Sequence, residues 1–132
     1  MKGFKSNIEK DTLSNSNFRR VFYTGKYSQL VLMNLKPGEE IGEEVHKTVD
    51  QFFRFEKGVG AVIIDSVMQK IAGGDAVIVP AGAKHNVVNK SKSEELKLYT
   101  IYSPPEHEDG TLRKTKADAL AKPEEFNGKT TE

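Results

Sequence analysis

Histidine is the side chain that most readily ligates a metal or moves a proton near neutral pH, and the 132-residue sequence holds three, His46, His85 and His107. His46 stands in Glu44-Val45-His46. Residues two apart on an extended strand point to one side, so a carboxylate and an imidazole would share a face. His85 follows Gly74-DAVIV-Pro80-Ala81-Gly82-Ala83-Lys84 and precedes NVV-Asn89. Pro80-x-Gly82 predicts a tight turn out of one strand, and His85 opens the next. Carboxylates and imidazoles so placed suit two chemistries. They can ligate a divalent ion, or an inward, unmetallated Glu44 would have a raised pKa and serve as a general base. Other chemistries lack their residues. Cysteine is absent, which removes disulfides, thiolate metal sites, Fe–S clusters and cysteine nucleophiles. There is no Ser-His-Asp set and no glycine-rich phosphate loop of P-loop or Rossmann type.

The segment Gly74-x5-Pro80-x-Gly82-x2-His85-x3-Asn89 resembles the second motif of the cupin superfamily at all five fixed positions. The segment Gly38-x5-Glu44-x-His46-x4-Gln51-x6-Gly58 resembles the first motif, with Gly38, His46 and Gly58 in register. Glu44 stands where that family has its first histidine, and Gln51 where it has a glutamate. The resemblance implies an all-β, single-domain cupin β-barrel (a double-stranded β-helix, or jelly roll) with a short C-terminal helix. It also implies that Glu44, His46, Gln51 and His85 converge on one divalent transition metal ion, Fe, Mn, Zn, Ni or Co. With Gln51 neutral, Glu44 is the one charged ligand, and the bound ion keeps more positive charge towards an anion than between two carboxylates.

The chain looks most like the small cupins described as mannose-6-phosphate isomerase-like. That likeness implies a metal-dependent isomerase, tautomerase or lyase acting on a small oxygen-rich molecule such as a sugar or sugar phosphate. Glu44 is the candidate base and Tyr102 a candidate pocket hydroxyl. Two other readings fit the same residues: a non-haem Fe(II) dioxygenase, from two histidines and one carboxylate, and a non-catalytic binder of a sugar or other small molecule. Small cupins often pair, so a homodimer is expected.

These groups need a scaffold, and the sequence supplies strands. FRRVFYT (18–24) and SQLVLMNL (28–35) read as a hairpin across Gly25-Lys26-Tyr27. QFFRFEKG (51–58), GAVIID (60–65), DAVIVPAG (75–82), HNVVN (85–89) and ELKLYTIYS (95–103) follow as short strands at the spacing of a barrel or sandwich. Alternation puts Phe53 and Phe55 on the face of Gln51, and Tyr102 on the face of Leu96, Leu98 and Thr100. Phe52, Tyr99 and Ile101 fall on the opposite face, and Lys84 points away from its neighbour His85.

Three segments follow from this pattern: a lead-in over 1–17, a barrel over 18–105 closed by Pro104-Pro105, and a tail over 106–132. The tail is expected to hold one helix in TLRKTKADALA (111–121), capped by Thr111 and frayed beyond Pro123. His107 is expected at the surface. A net charge of +1 argues against nucleic acid as a partner. No apolar run has the roughly 20 residues of a membrane helix, and the N-terminus lacks a secretory apolar region. The expected setting is cytoplasmic, with a small molecule as partner.

Overall fold

Alternation decides which side chains of the long strands turn inward, and it builds two sheets around one apolar core. The computed structural model describes residues 1–132. Its elements in chain order are α1 (Ile8–Ser14), β1 (Arg19–Thr24), β2 (Gln29–Leu35), β3 (Glu44–Val45), β4 (Asp50–Lys57), β5 (Val59–Ile64), β6 (Val67–Ala72), β7 (Ala76–Val79), β8 (Lys84–Asn89), β9 (Leu96–Ser103), β10 (Leu112–Arg113) and α2 (Lys116–Ala121). The larger sheet runs β10-β1-β2-β9-β4-β7 and the smaller β3-β8-β5-β6, with every pair antiparallel. This is the all-β architecture expected from the strand pattern, in the jelly-roll barrel form that the resemblance implies. No helix is long and apolar enough to cross a membrane.

The core takes Val31, Met33 and Leu35 from β2, Phe53 and Phe55 from β4, Val62 from β5, Val87 from β8, and Leu96 and Leu98 from β9. Phe53 and Phe55 stack with ring centroids 6.1 Å apart. Each buried aromatic of this size contributes roughly 2–3 kcal/mol of transfer free energy. Tyr102 lies in the same cluster, on the face that alternation gave it. The two motif ends are structural. At Gly58 (φ +103°) a Cβ would sit 2.6 Å from the Glu95 carbonyl oxygen, so only glycine fits there. Asn89 donates through Nδ2 to the carbonyls of Leu35, Lys36 and Glu94 at 3.1, 3.0 and 2.9 Å, tying β8 to the ends of β2 and β9.

The structure differs from the sequence reading in several places. The 1–17 segment contains α1. Asn7 caps it by accepting from the Lys10 N–H at 3.2 Å, and Thr12 is wholly buried. Strand β6 was not anticipated, because it exposes every side chain except Ile71 and so shows no alternation. Its hairpin to β5 turns on Asp65 and Ser66, both at positive φ (45° and 70°), where glycine or asparagine would have signalled the turn. A tenth strand, β10, lies beyond Pro104-Pro105 and joins the sheet edge at β1, pairing Arg20 with Leu112. Helix α2 starts after Thr115, whose side chain accepts from Asp118 N–H, while Thr111 is buried in a turn onto the Glu108 carbonyl.

The chain beyond Pro123 is not frayed either. Phe126 N–H donates to Glu106 O and Thr131 N–H to Thr24 O, both at 2.9 Å, so the tail is laid back along the barrel.

Candidate metal centre

Strand β3 is only two residues long, but its register sets the site. Glu44 pairs with His85 across β3 and β8, which brings the two side chains to one place at the barrel mouth. The turn before β8 is fastened to the same spot, since Gly82 N–H donates to the His46 carbonyl at 2.8 Å. The ligating atoms of Glu44, His46 and His85 all lie within 4.8 Å of one another. The rings of His46 and His85 have centroids 5.3 Å apart. Lys84 points outward to Glu43 at 3.3 Å, as alternation required.

Hydrogen bonds orient these donors. His85 is 4% exposed, and its Nδ1–H donates to the Ala83 carbonyl at 3.1 Å. That fixes the tautomer and leaves Nε2 as a bare lone pair, buried and without a partner. Gln51 behaves alike. The Thr100 hydroxyl donates to the Phe52 carbonyl at 2.8 Å, so its oxygen can only accept from Gln51 Nε2–H at 3.0 Å. The amide is thereby oriented with Oε1 outward, again buried and unpartnered. Buried polar atoms are rarely left without a partner. The orphaned His85 Nε2 joins a carboxylate and a second imidazole in a donor set that fits a cation, and Gln51, opposite Tyr102 on the neighbouring strand, offers a second free acceptor.

His46 sits between two carboxylates, with Nε2 3.1 Å from Glu44 Oε2 and Nδ1 3.3 Å from Glu106 Oε1. Burial opposes its charge, but the hydrogen bonds to Glu106 and Glu44 and their negative charge prevail and push its pKa up to about 9. For Glu44, burial works towards a higher pKa, yet the His46 hydrogen bond and the charges of His46 and Arg19 outweigh it and hold the carboxyl below its ordinary range. Glu44 is therefore ionised at neutral pH, not the raised-pKa base expected of an unpaired carboxylate. With a cation at Nε2, Glu106 would hold His46 through Nδ1–H, the usual outer partner of a metal-bound imidazole.

Behind this group lies a relay that sequence reading missed. His107 is 7% exposed, not at the surface. The Gln29 side chain clamps its backbone, accepting from its N–H at 2.9 Å and donating to its carbonyl at 2.8 Å. His107 Nδ1 donates to Glu124 Oε1 at 2.5 Å, and its Nε2 lies 3.1 Å from the Tyr102 hydroxyl. Burial would raise the Glu124 carboxyl, but the bond to His107 and its charge lower it overall. Burial and the Glu44 charge push the Tyr102 phenol upward, so it keeps its proton. Tyr102 meets His46 edge-on, with centroids 5.8 Å apart. Its hydroxyl thus engages His107.

A cavity of about 270 Å³ opens onto these groups, lined by Arg19, Glu44, His46, Glu106, His107 and Glu124 and roofed by α2. A larger hollow of about 470 Å³ lies against β5 and β6 and has none of the three histidines in its lining. Of the two, only the smaller is lined by histidines, His46 and His107.

Fold and site together define a small single-domain jelly-roll barrel with a carboxylate–imidazole group able to hold a metal ion at its mouth. Residues 31–102 match the cupin domain family, and the chain belongs to it. It is 44% identical over 126 residues to the uncharacterized protein YrkC of Bacillus subtilis (strain 168), a match covering 91% of this chain and 67% of YrkC. The crystal structure of BH2720 from Bacillus halodurans is similar at a TM-score of 0.88 and 41% identity, covering 92% of this chain and 96% of that one. A predicted oxalate decarboxylase from Thermotoga maritima (tm1287) shares the fold at a TM-score of 0.57 and 20% identity, covering 60% and 68% of the two chains.

Proposed function

We propose that the protein is a divalent-metal-dependent enzyme of isomerase, tautomerase or lyase type, acting on a small oxygen-rich substrate such as a sugar or sugar phosphate. Glu44, His46, His85 and Gln51 are its ligand set. The observation that carries this reading is the pair of orphaned acceptors, His85 Nε2 and Gln51 Oε1, each fixed in orientation by a neighbour. When a divalent ion is bound, it supplies Lewis acidity towards a carbonyl or hydroxyl oxygen. The chain's own groups do the rest. Glu106 steadies His46 from behind. Glu44, ionised and partly exposed, is the carboxylate placed to take a proton from substrate carbon or oxygen. Tyr102, protonated and engaged with His107, holds the wall beside His46. The cavity, at about 270 Å³, admits a molecule of a few carbons.

The test is a steady-state assay of protein loaded with Mn, Fe, Zn, Ni or Co against aldoses, ketoses, keto–enol acids and their phosphates. Turnover that is lost in His85→Ala supports the proposal, and no turnover with any ion overturns it. A second reading, a non-haem Fe(II) dioxygenase, is favoured by the donor set of two imidazoles and one carboxylate within 4.8 Å. Substrate-dependent oxygen uptake with Fe(II), absent with Zn, selects it. Tight binding of a sugar without product would select the non-catalytic reading. The expected homodimer is supported by apolar side chains left outside the barrel, among them Val67 and Met68 on β6, and sedimentation equilibrium checks it.

A further inference from the structure

Arg19 is the one strongly basic side chain turned into the barrel. It lies on β1 opposite Met33 of β2, on the face that packs the core, and is 9% exposed. Its guanidinium forms no ion pair and no hydrogen bond, and its buried Nε has no partner. Its guanidinium lies over the Phe18 ring, 5.4 Å from Cζ to centroid, and its charge is felt at a distance by Glu44 and Glu124. An unpaired cation out of water is costly, so a position that keeps one asks for an anion.

The carboxylates around the cavity answer that need only through their field: Arg19 lowers the Glu44 and Glu124 carboxyls, yet none forms an ion pair or hydrogen bond with it. Glu44 and Glu106 both pair with His46, Glu124 pairs with His107, and Glu125 is exposed. Arg113, the cross-strand neighbour of Arg19 on β10, donates to the backbone carbonyls of Lys122 and Leu112. Arg19 and Lys116 are the lysine and arginine side chains that line the cavity, and only Arg19 is buried.

We propose that Arg19 seats a carboxylate of the small molecule that occupies this cavity. The planar guanidinium fork matches a carboxylate with two parallel hydrogen bonds, and the cavity's size limits the ligand to a small acid. The proposal deepens the reading of the metal centre: the acid group is held at Arg19 while the rest of the molecule extends towards Glu44 and His46. The anchor itself needs no metal, which allows the two claims to be tested apart.

The experiment titrates wild type, Arg19→Met and Arg19→Lys with glycolate, its uncharged analogue glycolamide and inorganic phosphate. Binding is followed by NMR shifts, with and without EDTA, and the metal content of each protein is measured by elemental analysis. Wild type is expected to bind glycolate at least tenfold more tightly than glycolamide, in EDTA as well. Arg19→Met is expected to lose that preference while keeping wild-type metal content, and to stay folded because Arg19 makes no hydrogen bond or ion pair. Arg19→Lys is expected to recover only part of the affinity.

Equal binding of glycolate and glycolamide by wild type overturns the proposal, and needs no variant to fold. So does glycolate binding unchanged in Arg19→Met, or no binding of either anion. Arg19-dependent binding of phosphate in preference to glycolate overturns the carboxylate assignment in favour of a phosphate ester. A protein that takes up no metal but still binds glycolate through Arg19 would sink the metal-centre reading and leave the anchor standing.

Discussion

Metal uptake should carry a steep pH dependence, because a proton occupies one of the ligands first. In the metal-free protein His46 has a pKa of about 9, held up against burial by Glu106 and Glu44. At pH 7 it lies about two units below that value, so vacating Nε2 costs roughly 2.7 kcal/mol at 1.36 kcal/mol per unit. This is about a hundredfold in apparent affinity. Glu44, held below the ordinary carboxylate range, adds nothing in this window. The apparent Kd for Co(II), measured by competition against a chromophoric chelator, should therefore fall about tenfold between pH 7 and 8 and level off above about 9. Calorimetry in buffers of different ionisation enthalpy should find about one proton released per ion at pH 7.5.

The sign for the metal-free fold is opposite. A histidine whose pKa rises on folding contributes stability that is complete below its unfolded value of about 6.5 and is lost as pH climbs through about 9. A Kd that does not change between pH 7 and 9, with no proton release, would refute the placement of His46 between two carboxylates.

Other expectations follow from single contacts. Gln51→Leu removes a buried, unpartnered acceptor, so it should weaken metal binding by about tenfold or more while the metal-free melting temperature stays level or rises. Chelator competition and calorimetry read the two effects. His107→Leu strands the Glu124 carboxylate and should cost about 3 kcal/mol in urea unfolding at pH 7. The loss should shrink in acid, since Glu124's lowered pKa contributes stability above its unfolded value of about 4.3 that vanishes as pH falls through the folded one. Phe55→Ala, at a wholly buried position, should cost about 3–5 kcal/mol in the same assay with metal content unchanged.

The candidate metal group was legible because turns betray themselves. Gly74, Pro80, Gly82 and Gly58 are residue types that backbone geometry demands, and they frame His46 and His85 at fixed distances. Glu44 was legible only by its register in that frame, and Phe53, Phe55 and Tyr102 by plain alternation along β4 and β9. The groups around the metal candidates were hidden for a different reason. Glu106, His107 and Glu124 belong to a tail with no periodic pattern. Tertiary contacts place them: the Phe126 bond to Glu106 and the Gln29 clamp on His107. Arg19 did leave a signal. It alternates with Val21 on the buried face of β1, and an arginine at such a position marks a site more than a wall. Strand β6 was invisible because an edge strand that buries one residue in six carries no alternation.

Ligation of one ion by Glu44, His46, His85 and Gln51 is open to direct observation. A crystal structure of the protein grown with Co(II), with anomalous diffraction locating the metal and elemental analysis counting it, tests this most directly. One ion per chain is expected, about 2.0–2.3 Å from Glu44, His46 Nε2, His85 Nε2 and Gln51 Oε1, and none in His85→Ala. A stoichiometric ion bound elsewhere, or a wild-type cavity that stays empty at saturating metal, would contradict it.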